Sequence, residues 1–444
     1  MKKVIINFTL ALFITLSSVM AFSQTTEISG QFRPRYEYRH GFKTLIPDGQ
    51  IGANFVSQRT RINLKYSDQF FRLGFSLQNV GVWGETGTLS IADVNGTAFH
   101  EAWGEILFSE KFSMKVGRQE IIYDDHRIFG SVDWAQQGRS HDAAIISIKP
   151  KDVCKLDIGF AYNARRESLY KEYYHSTEYR TFQYIHWHRD FNQLGVSVLL
   201  LNNGMTYLDM TDTTSIGDPV EKIAYSQTLG TRITYSNERF AANGAFYFQT
   251  GKISADTTND GTMESSRDLS GLYFAGDIKY NFNAGFSAGA GFEYLSGNSM
   301  KDPADKDEAF KPFYGTNHKF NGWMDYFYVG NHMQSVGLLD INIPLAYKKN
   351  KITVMLIPHF FQSTGDIVGP AADGIFRDYD KYLGTEVDLA ISYAISPIAS
   401  IKAGYSQMFA TESMQILKGG NKDNTNNWAW VMIDLKPTFF KFEN

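Results

Sequence analysis

From Asn54 to Val80, polar and apolar side chains alternate with a period of two, break, and alternate again. Arg59, Arg61, Asn63 and Lys65 occupy one parity, and Ile62, Leu64 and Tyr66 the other. After the polar link Ser67-Asp68-Gln69, Phe71, Leu73, Phe75 and Leu77 oppose Arg72, Gly74, Ser76 and Gln78. Successive strand residues point to opposite faces, so this stretch predicts a hairpin with one apolar and one charged face. The segment before it repeats the pattern: Glu27, Ser29, Gln31, Arg33, Arg35, Glu37 and Arg39 stand against Ile28, Phe32, Pro34, Tyr36 and Tyr38. Pro34 removes a ladder donor, which the start of a strand or a barrel rim tolerates best. Alternation alone does not say which face is dry. A soluble sandwich buries the apolar face, whereas a membrane barrel turns it to lipid and lines a wet interior with the charged one.

The links between amphipathic segments separate these readings. Segments 81–97, 121–139, 164–178, 202–225, 251–267, 297–331, 363–380 and 410–425 are long. Between them the reversals are brief: Ser109 to Lys111, Lys149 to Asp152, Arg189-Asp190, Ser236 to Arg239, Asn281 to Gly285, Tyr347 to Asn350 and Ser396-Pro397. Strict alternation of long and short predicts an all-β, transmembrane, antiparallel up-and-down β-barrel with short periplasmic turns and long extracellular loops. Greek-key sandwiches have no reason to keep that order. The segments number about eighteen, and bacterial barrels have even strand counts. In the least regular of them, 179–189, the run His186-Trp187-His188 suits an interfacial aromatic girdle better than a metal site. At the C-terminus Ala429, Val431, Ile433, Leu435 and Phe439 oppose Trp430, Met432, Asp434 and Lys436, a strand expected to pair with the first.

Bulk properties agree with this reading. The 444 residues show no linker or composition break, and 25 Tyr, 34 Phe and 38 Gly accompany a hydrophobic share of only 43%. Such a balance is expected when every second strand residue meets lipid. A formal charge of −4, from 43 basic and 47 acidic residues, argues against a nucleic-acid partner. The single Cys154 has no partner for a disulfide and falls on the apolar parity. Lys2 and Lys3 precede an apolar run from Val4 to Phe22 that ends in Ala21-Phe22-Ser23. This predicts a secretory signal peptide over 1–23, cut before Gln24, followed by a single barrel domain over 24–444 in a Gram-negative outer membrane. No later run reaches the ~20 apolar residues of a spanning helix.

With the polar parity inward, the lumen inherits Arg33, Arg35, Arg59, Arg61, Lys65 and Arg72 from the first three strands and Glu101 and Glu105 from the fourth. Guanidinium forks suit carboxylate or phosphate oxygens, so a basic wall points to an anionic solute; the plainer role is to brace the wall against facing acids. Acidic residues gather in the outer loops, including Asp302, Asp305, Asp307 and Glu308, and also Asp366, Asp373, Asp378 and Asp380. They could hold divalent cations or simply be solvated.

One loop is unusual for a surface. Residues 117–142 mix arginine, aromatic and acidic side chains, which suits a loop folded into the channel. Gly117-Arg118-Gln119, Tyr123, Asp125, Arg127, Gly130, Asp133-Trp134 and Gly138-Arg139 through Asp142 resemble the signature of the alginate-export outer-membrane porin family. A second block, Tyr314 to Phe327, resembles the Bacteroidetes-type form of that family. Asp124 stands where a glycine is usual, and His141 replaces the usual aromatic before Asp142. The resemblance implies an eighteen-stranded barrel whose arginine-rich lumen conducts a polyuronate.

The expectation is a monomeric outer-membrane channel among lipid and lipopolysaccharide. It would pass an anionic solute, such as an acidic polysaccharide, with no cofactor, metal or enzymatic activity. Arg118, Tyr123, Asp125, Arg127, Asp133, Trp134, Arg139 and Asp142 would lie near its constriction. The alternatives are a general small-solute porin with a structural basic wall, and a rim hydrolase using Asp125 with His126 or His318 with Asp325. The latter lacks a nucleophile elbow and zinc-ligand spacing.

Overall fold

A computed structural model describes residues 24–444 except 171, 175–178, 214–218, 257–261, 317, 333–334 and 372; the signal segment 1–23 lies outside the described residues. Twenty strand segments form one antiparallel sheet. Two pairs of segments are single strands interrupted at a proline, leaving eighteen strands in a closed barrel. The first seven are β1 (Thr25–His40), β2 (Ala53–Ser67), β3 (Phe71–Val82), β4 (Ala98–Ser109), β5 (Phe112–Gln119), β6 (His141–Lys151) and β7 (Cys154–Tyr162). Then come β8 (Thr181–Phe191), β9 (Leu194–Thr213), β10 (Pro219–Ser236), β11 (Phe240–Ala255), β12 (Ser265–Asn281) and β13 (Phe286–Leu295). The last five are β14 (Leu338–Asn342 with Leu345–Lys349), β15 (Ile352–Gln362), β16 (Tyr382–Ser396), β17 (Ala399–Ala410) and β18 (Asn426–Leu435 with Thr438–Glu443).

Each strand pairs with its neighbours in sequence, and β1 pairs with β18 to close the ring. The seam explains Pro34. Its missing N–H falls where the β1–β18 ladder skips from Phe32 opposite Leu435 to Arg35 opposite Met432, in mid-strand and not at the start or rim expected for it. β14 breaks at Ile343-Pro344, where the Ile343 N–H donates to the carbonyl of Pro358 on β15.

The two faces sort as the alternation predicts. Ile62, Leu229 and Ile278 are 55%, 53% and 52% exposed on the outer wall, while Arg33, Arg59 and Glu37 on the inner wall are 3%, 1% and 1% exposed. Every second residue thus turns an apolar surface outward, the arrangement a lipid solvent requires. Cys154 shares the outward parity with Phe160 and Tyr162. No helix among the described residues is long and apolar enough to cross a membrane.

Several boundaries differ from those predicted. Segment 202–225 is not an open loop: β9 and β10 continue through it as a paired ladder from Asn202 opposite Gln227 up to Thr213 opposite Pro219. The β8–β9 turn lies at Asn192-Gln193, three residues past Arg189-Asp190. Asn192 has φ of 56°, a left-handed conformation that asparagine readily adopts in a turn. His186 faces the lumen, buried beside Asp124 at 3.3 Å, so it does not belong to an outer aromatic girdle.

Candidate functional site

Two long loops do not stay outside. Residues 120–140, between β5 and β6, and residues 309–316 and 318–327, between β13 and β14, fold into the barrel and bury Ile121, Phe129, Phe310, Met324 and Tyr326. They meet each other in the lumen. Phe129 bridges Tyr314 in parallel, the Gly130 N–H donates to Tyr314 O at 2.9 Å, and the Thr316 N–H donates to His126 O at 2.9 Å. Backbone pairing satisfies groups that would be costly to leave unbonded inside a barrel. The packing around it is aromatic: Phe129 lies 5.3 Å from Tyr314 and 4.9 Å from Tyr184 of β8.

The first loop docks on the basic wall. Arg33 donates through Nε to Gln136 Oε1 at 3.1 Å and through Nη2 to the carbonyls of Trp134 and Ala135 at 3.3 Å each. Arg35 donates to Trp134 O at 2.7 Å and lies 4.1 Å over the Trp134 ring. Arg59 reaches Asp133 Oδ1 at 2.7 Å and Gln136 O at 3.3 Å, and Arg61 reaches Gln137 O at 3.4 Å. In return, Gln136 Nε2 donates to the Ser57 hydroxyl at 3.0 Å. Segment 133–137 thus presents acceptors, and the wall of β1 and β2 supplies donors.

Those acceptors are mostly neutral, so the charge is not cancelled. Among the described residues, the ion pairs of Arg33, Arg35, Arg39, Arg59 and Arg61 reach only Glu37, paired with Arg35 and Arg39 at 2.9 Å each, and Asp133, while Glu101 and Glu120 act on Arg61 and Asp434 on Arg33 from farther away. Burial would raise the Asp133 carboxyl, but the Arg59 and Arg33 guanidiniums outweigh it and hold it at about 2. A group depressed in this way stabilises its partners at any pH above its unfolded value and loses that effect only as pH falls toward 2. The clamp on the first loop is therefore insensitive to pH near neutrality.

The second loop docks with the opposite polarity. Glu293 on β13, Asp340 on β14, and Glu386 and Asp388 on β16 line an acidic arc, with His359 of β15 held 2.9 Å from Asp340. Here the loop supplies donors. The Trp323 N–H reaches Asp388 at 3.1 Å, the Met324 N–H reaches Glu386 at 2.8 Å, and Asn321 Nδ2 reaches Glu293 at 3.1 Å. Arg127 of the first loop joins the two systems, pairing with Glu293 and donating to Asn321 Oδ1 at 3.1 Å.

The predicted residues divide accordingly. Arg33, Arg35, Arg59, Arg61, Asp133 and Trp134 form one cluster. Arg118 pairs with Asp142 at 2.9 Å beside a cavity of about 760 Å³ that Trp134, Arg139, Asp142 and His318 also line. A neighbouring cavity of about 560 Å³ shares Lys43, Trp134, Gln137 and Asp325 with it and adds Arg35 and Arg39. Asp125 pairs with Arg232 of β10, and Tyr123 stacks on His186 at 4.1 Å and donates to Asp157 at 2.8 Å, so both serve the packed side of the loop. Arg72 pairs with Glu105 at 3.3 Å toward the short-turn end, where Lys65 is exposed; Glu101 accepts from the Glu120 N–H at 3.2 Å. None of these four touches the 133–137 segment.

Missed by sequence reasoning were Gln136, the backbone acceptors of 134–137, Asp340, His359 and the docking role of 321–324. Gln136 and the backbone carry no charge signal, but Asp340 and His359 lie on the inward parity of their strands. Outer-loop acids sit against lysines, as in Lys306–Glu308 at 3.2 Å and Lys381–Asp366 at 3.1 Å, and no described group of His, Cys, Asp and Glu has metal-binding geometry. His318 pairs with Asp325 at 3.0 Å and stacks on Trp134 at 4.3 Å.

Comparison with known proteins places this architecture. The chain is similar in fold to a BenF-like porin from Pseudomonas fluorescens Pf-5, with 12% identity, a TM-score of 0.58, and 93% of this chain and 99% of that one covered. It is likewise similar to Acinetobacter baumannii OccAB1, at 12% identity and TM-score 0.59, covering 94% and 97%. Pseudomonas aeruginosa OccK9 (OpdG) gives 12% identity and TM-score 0.59, covering 93% and 98%. No curated protein matches the chain in sequence. The model of one family, described as alginate export, matches residues 25–427, which include both inward loops and the walls that hold them, and the chain belongs to that family.

Proposed function

We propose that this outer-membrane channel passes an anionic solute, with an acidic polysaccharide as the class named by its family, by passive movement through the gap that the two inward loops leave. The observation that carries this reading is the excess of guanidinium over carboxylate on the β1–β2 wall beside Trp134. Hydrogen bonds to carbonyls fix those guanidiniums without neutralising them, so a positive field remains beside the first inward loop. The solute need not displace the loop to feel it. Arg39, Lys43, Arg118 and Arg139 extend basic character into the adjoining cavities, where Trp134 and Tyr328 offer flat apolar surface.

One chain closes the barrel by itself, so we propose a monomer that meets lipid on its apolar wall and lipopolysaccharide at its long-loop end. On this reading His318 and Asp325 position Trp134 and catalyse nothing. Liposomes containing the purified protein should swell faster in an acidic sugar, such as a uronic acid salt, than in a neutral sugar of the same size. Equal swelling in both would remove the anionic preference and leave a general porin with a structural basic wall.

A further inference from the structure

We propose that the short-turn mouth of the barrel is a second anion site, a ring of lumen-facing lysines that gathers the acidic groups of the solute before it meets the two inward loops. Loading is then faster from that end than from the long-loop end. The inference rests on the channel reading and names the side from which the channel is filled.

Four lysines make the ring. Lys65 of β2, Lys149 of β6, Lys279 of β12 and Lys348 of β14 are exposed where their strands approach the short turns. Each lies on the lumen-facing parity. Lys65 shares that parity with Arg59 and Arg61, Lys149 with Ser147, and Lys279 with the buried Tyr273. Lys348 heads a row that runs through Thr353 and Ser392 to Lys402 across four adjacent strands.

Their charge is left uncancelled. None of the four forms an ion pair among the described residues. Their partners across the ladders are mostly neutral: Gly74 opposite Lys65, Ala241 and Gly289 opposite Lys279, and Thr353 opposite Lys348. Glu27 lies opposite Lys65 on one side and Lys441 on the other. The other inward acids of this end are engaged elsewhere. Glu105 holds Arg72 at 3.3 Å and the Ser113 hydroxyl at 2.7 Å, and Asp157 holds Lys155 at 2.6 Å. Asp277 accepts the Asn243 amide at 2.8 Å, and Asp434 stands between Lys402 at 3.8 Å and Lys436 at 3.0 Å. A cleft of about 270 Å³ opens at this rim, lined among others by Arg72, Glu105, Lys111, Ser113, Ser147 and Lys149.

The long-loop mouth has the reverse balance. There Lys222 serves both Asp209 at 2.7 Å and Asp212 at 3.1 Å, Lys381 serves Asp366 at 3.1 Å, and Lys306 serves Glu308 at 3.2 Å. Asp302, Asp305 and Glu412 are left without an ion pair among the described residues. The two mouths act separately. β2 alone has 15 residues, about 50 Å along the strand, whereas charges are screened over about 8 Å at physiological salt. A basic mouth speeds the arrival of anions at its own end and, in a passive channel, leaves the final distribution between the two sides unchanged.

The test uses trigalacturonate, with maltotriose as its neutral counterpart, on single channels in a planar bilayer. Orientation is read from the side on which avidin binds a biotin on Ala92→Cys, in the exposed loop after β3, in a Cys154→Ala chain. At about 50 mM salt and matched driving voltage, trigalacturonate should interrupt the current about tenfold more often from the short-turn side, and the difference should close near 1 M salt. Maltotriose should show no such difference. Replacing the four lysines by glutamine should erase the difference while chloride stays preferred, because the β1–β2 arginines are untouched. Equal interruption from both sides, or a difference that survives the four substitutions, would overturn the proposal. Titration calorimetry in micelles reads the same site without conductance: the four-glutamine variant should bind trigalacturonate about tenfold more weakly than the native chain, and equal affinity would also overturn the proposal. Lysine-dependent binding in a protein that passes no ions would sink the channel reading and leave the site standing.

Discussion

Replacing Arg59 by alanine is expected to free segment 133–137 from the barrel wall and raise single-channel conductance several-fold. Arg59 is 1% exposed and holds Asp133 Oδ1, Gln136 O and Gln31 Oε1 with one guanidinium. Without it, Asp133 keeps only Arg33, at 3.4 Å. The Asp133 side chain is 56% exposed, so the ion pair itself is worth about 0–1 kcal/mol, and the lost charge-assisted hydrogen bonds to Gln136 O and Gln31 Oε1 add about 1–3 kcal/mol, enough to shift the seated-to-released ratio by about tenfold or more. Arg59→Lys should fall between, because an ammonium keeps the charge but cannot span the carboxylate and a carbonyl at once. The strand ladders involve backbone, so heat-modifiable migration on gels should stay native. Unchanged conductance and open-channel noise in Arg59→Ala would mean that the loop does not narrow the path.

A larger loss is expected from Arg127→Ala, because that side chain ties both loops to one wall. It is 3% exposed, pairs with Glu293, donates to Asn321, and packs 4.3 Å over the Phe320 ring and 4.8 Å over Tyr273. Truncation leaves Glu293, directly opposite Asp340 on the neighbouring strand, without its ion-pair partner and with Asn321 Nδ2 as its remaining side-chain donor. Part of the cost is that uncompensated carboxylate, so adding Glu293→Gln should recover part of it. The two changes should therefore be non-additive by about 0.5–3 kcal/mol in thermal or denaturant unfolding followed at the loop tryptophans. Strict additivity would show that Arg127 and Glu293 act independently.

Much of the barrel was legible because lipid imposes a binary rule on every strand. The parities of Arg59 and Ile62, or of Met432 and Val431, could be read directly, and so could the closure of last strand on first. Boundaries were less legible where polar strands continue above the membrane, as in β9 and β10, since beyond lipid nothing forces alternation. Turn position was less legible at Arg189-Asp190 because aspartate and asparagine are both common turn residues, and only the backbone puts the left-handed residue at Asn192.

For the site, the composition of 117–142 pointed to a loop inside the channel, and that loop does lie in the lumen. What composition could not show is the direction of its hydrogen bonds. The arginines meet backbone carbonyls and a glutamine, groups present in every sequence and therefore silent in this one. The same holds for 321–324, whose backbone N–H groups seat on Glu386 and Asp388. Two inward loops docked on walls of opposite charge is a pairing that only the register of distant strands reveals.

The most direct test of the central claim is the reversal potential of the native protein in a planar bilayer under a potassium chloride gradient. A β1–β2 wall with more guanidinium than carboxylate beside the first inward loop predicts a potential set by chloride, one that moves toward potassium when Arg33 and Arg35 are both replaced by glutamine. A native channel with no preference, or one that favours potassium, would contradict it.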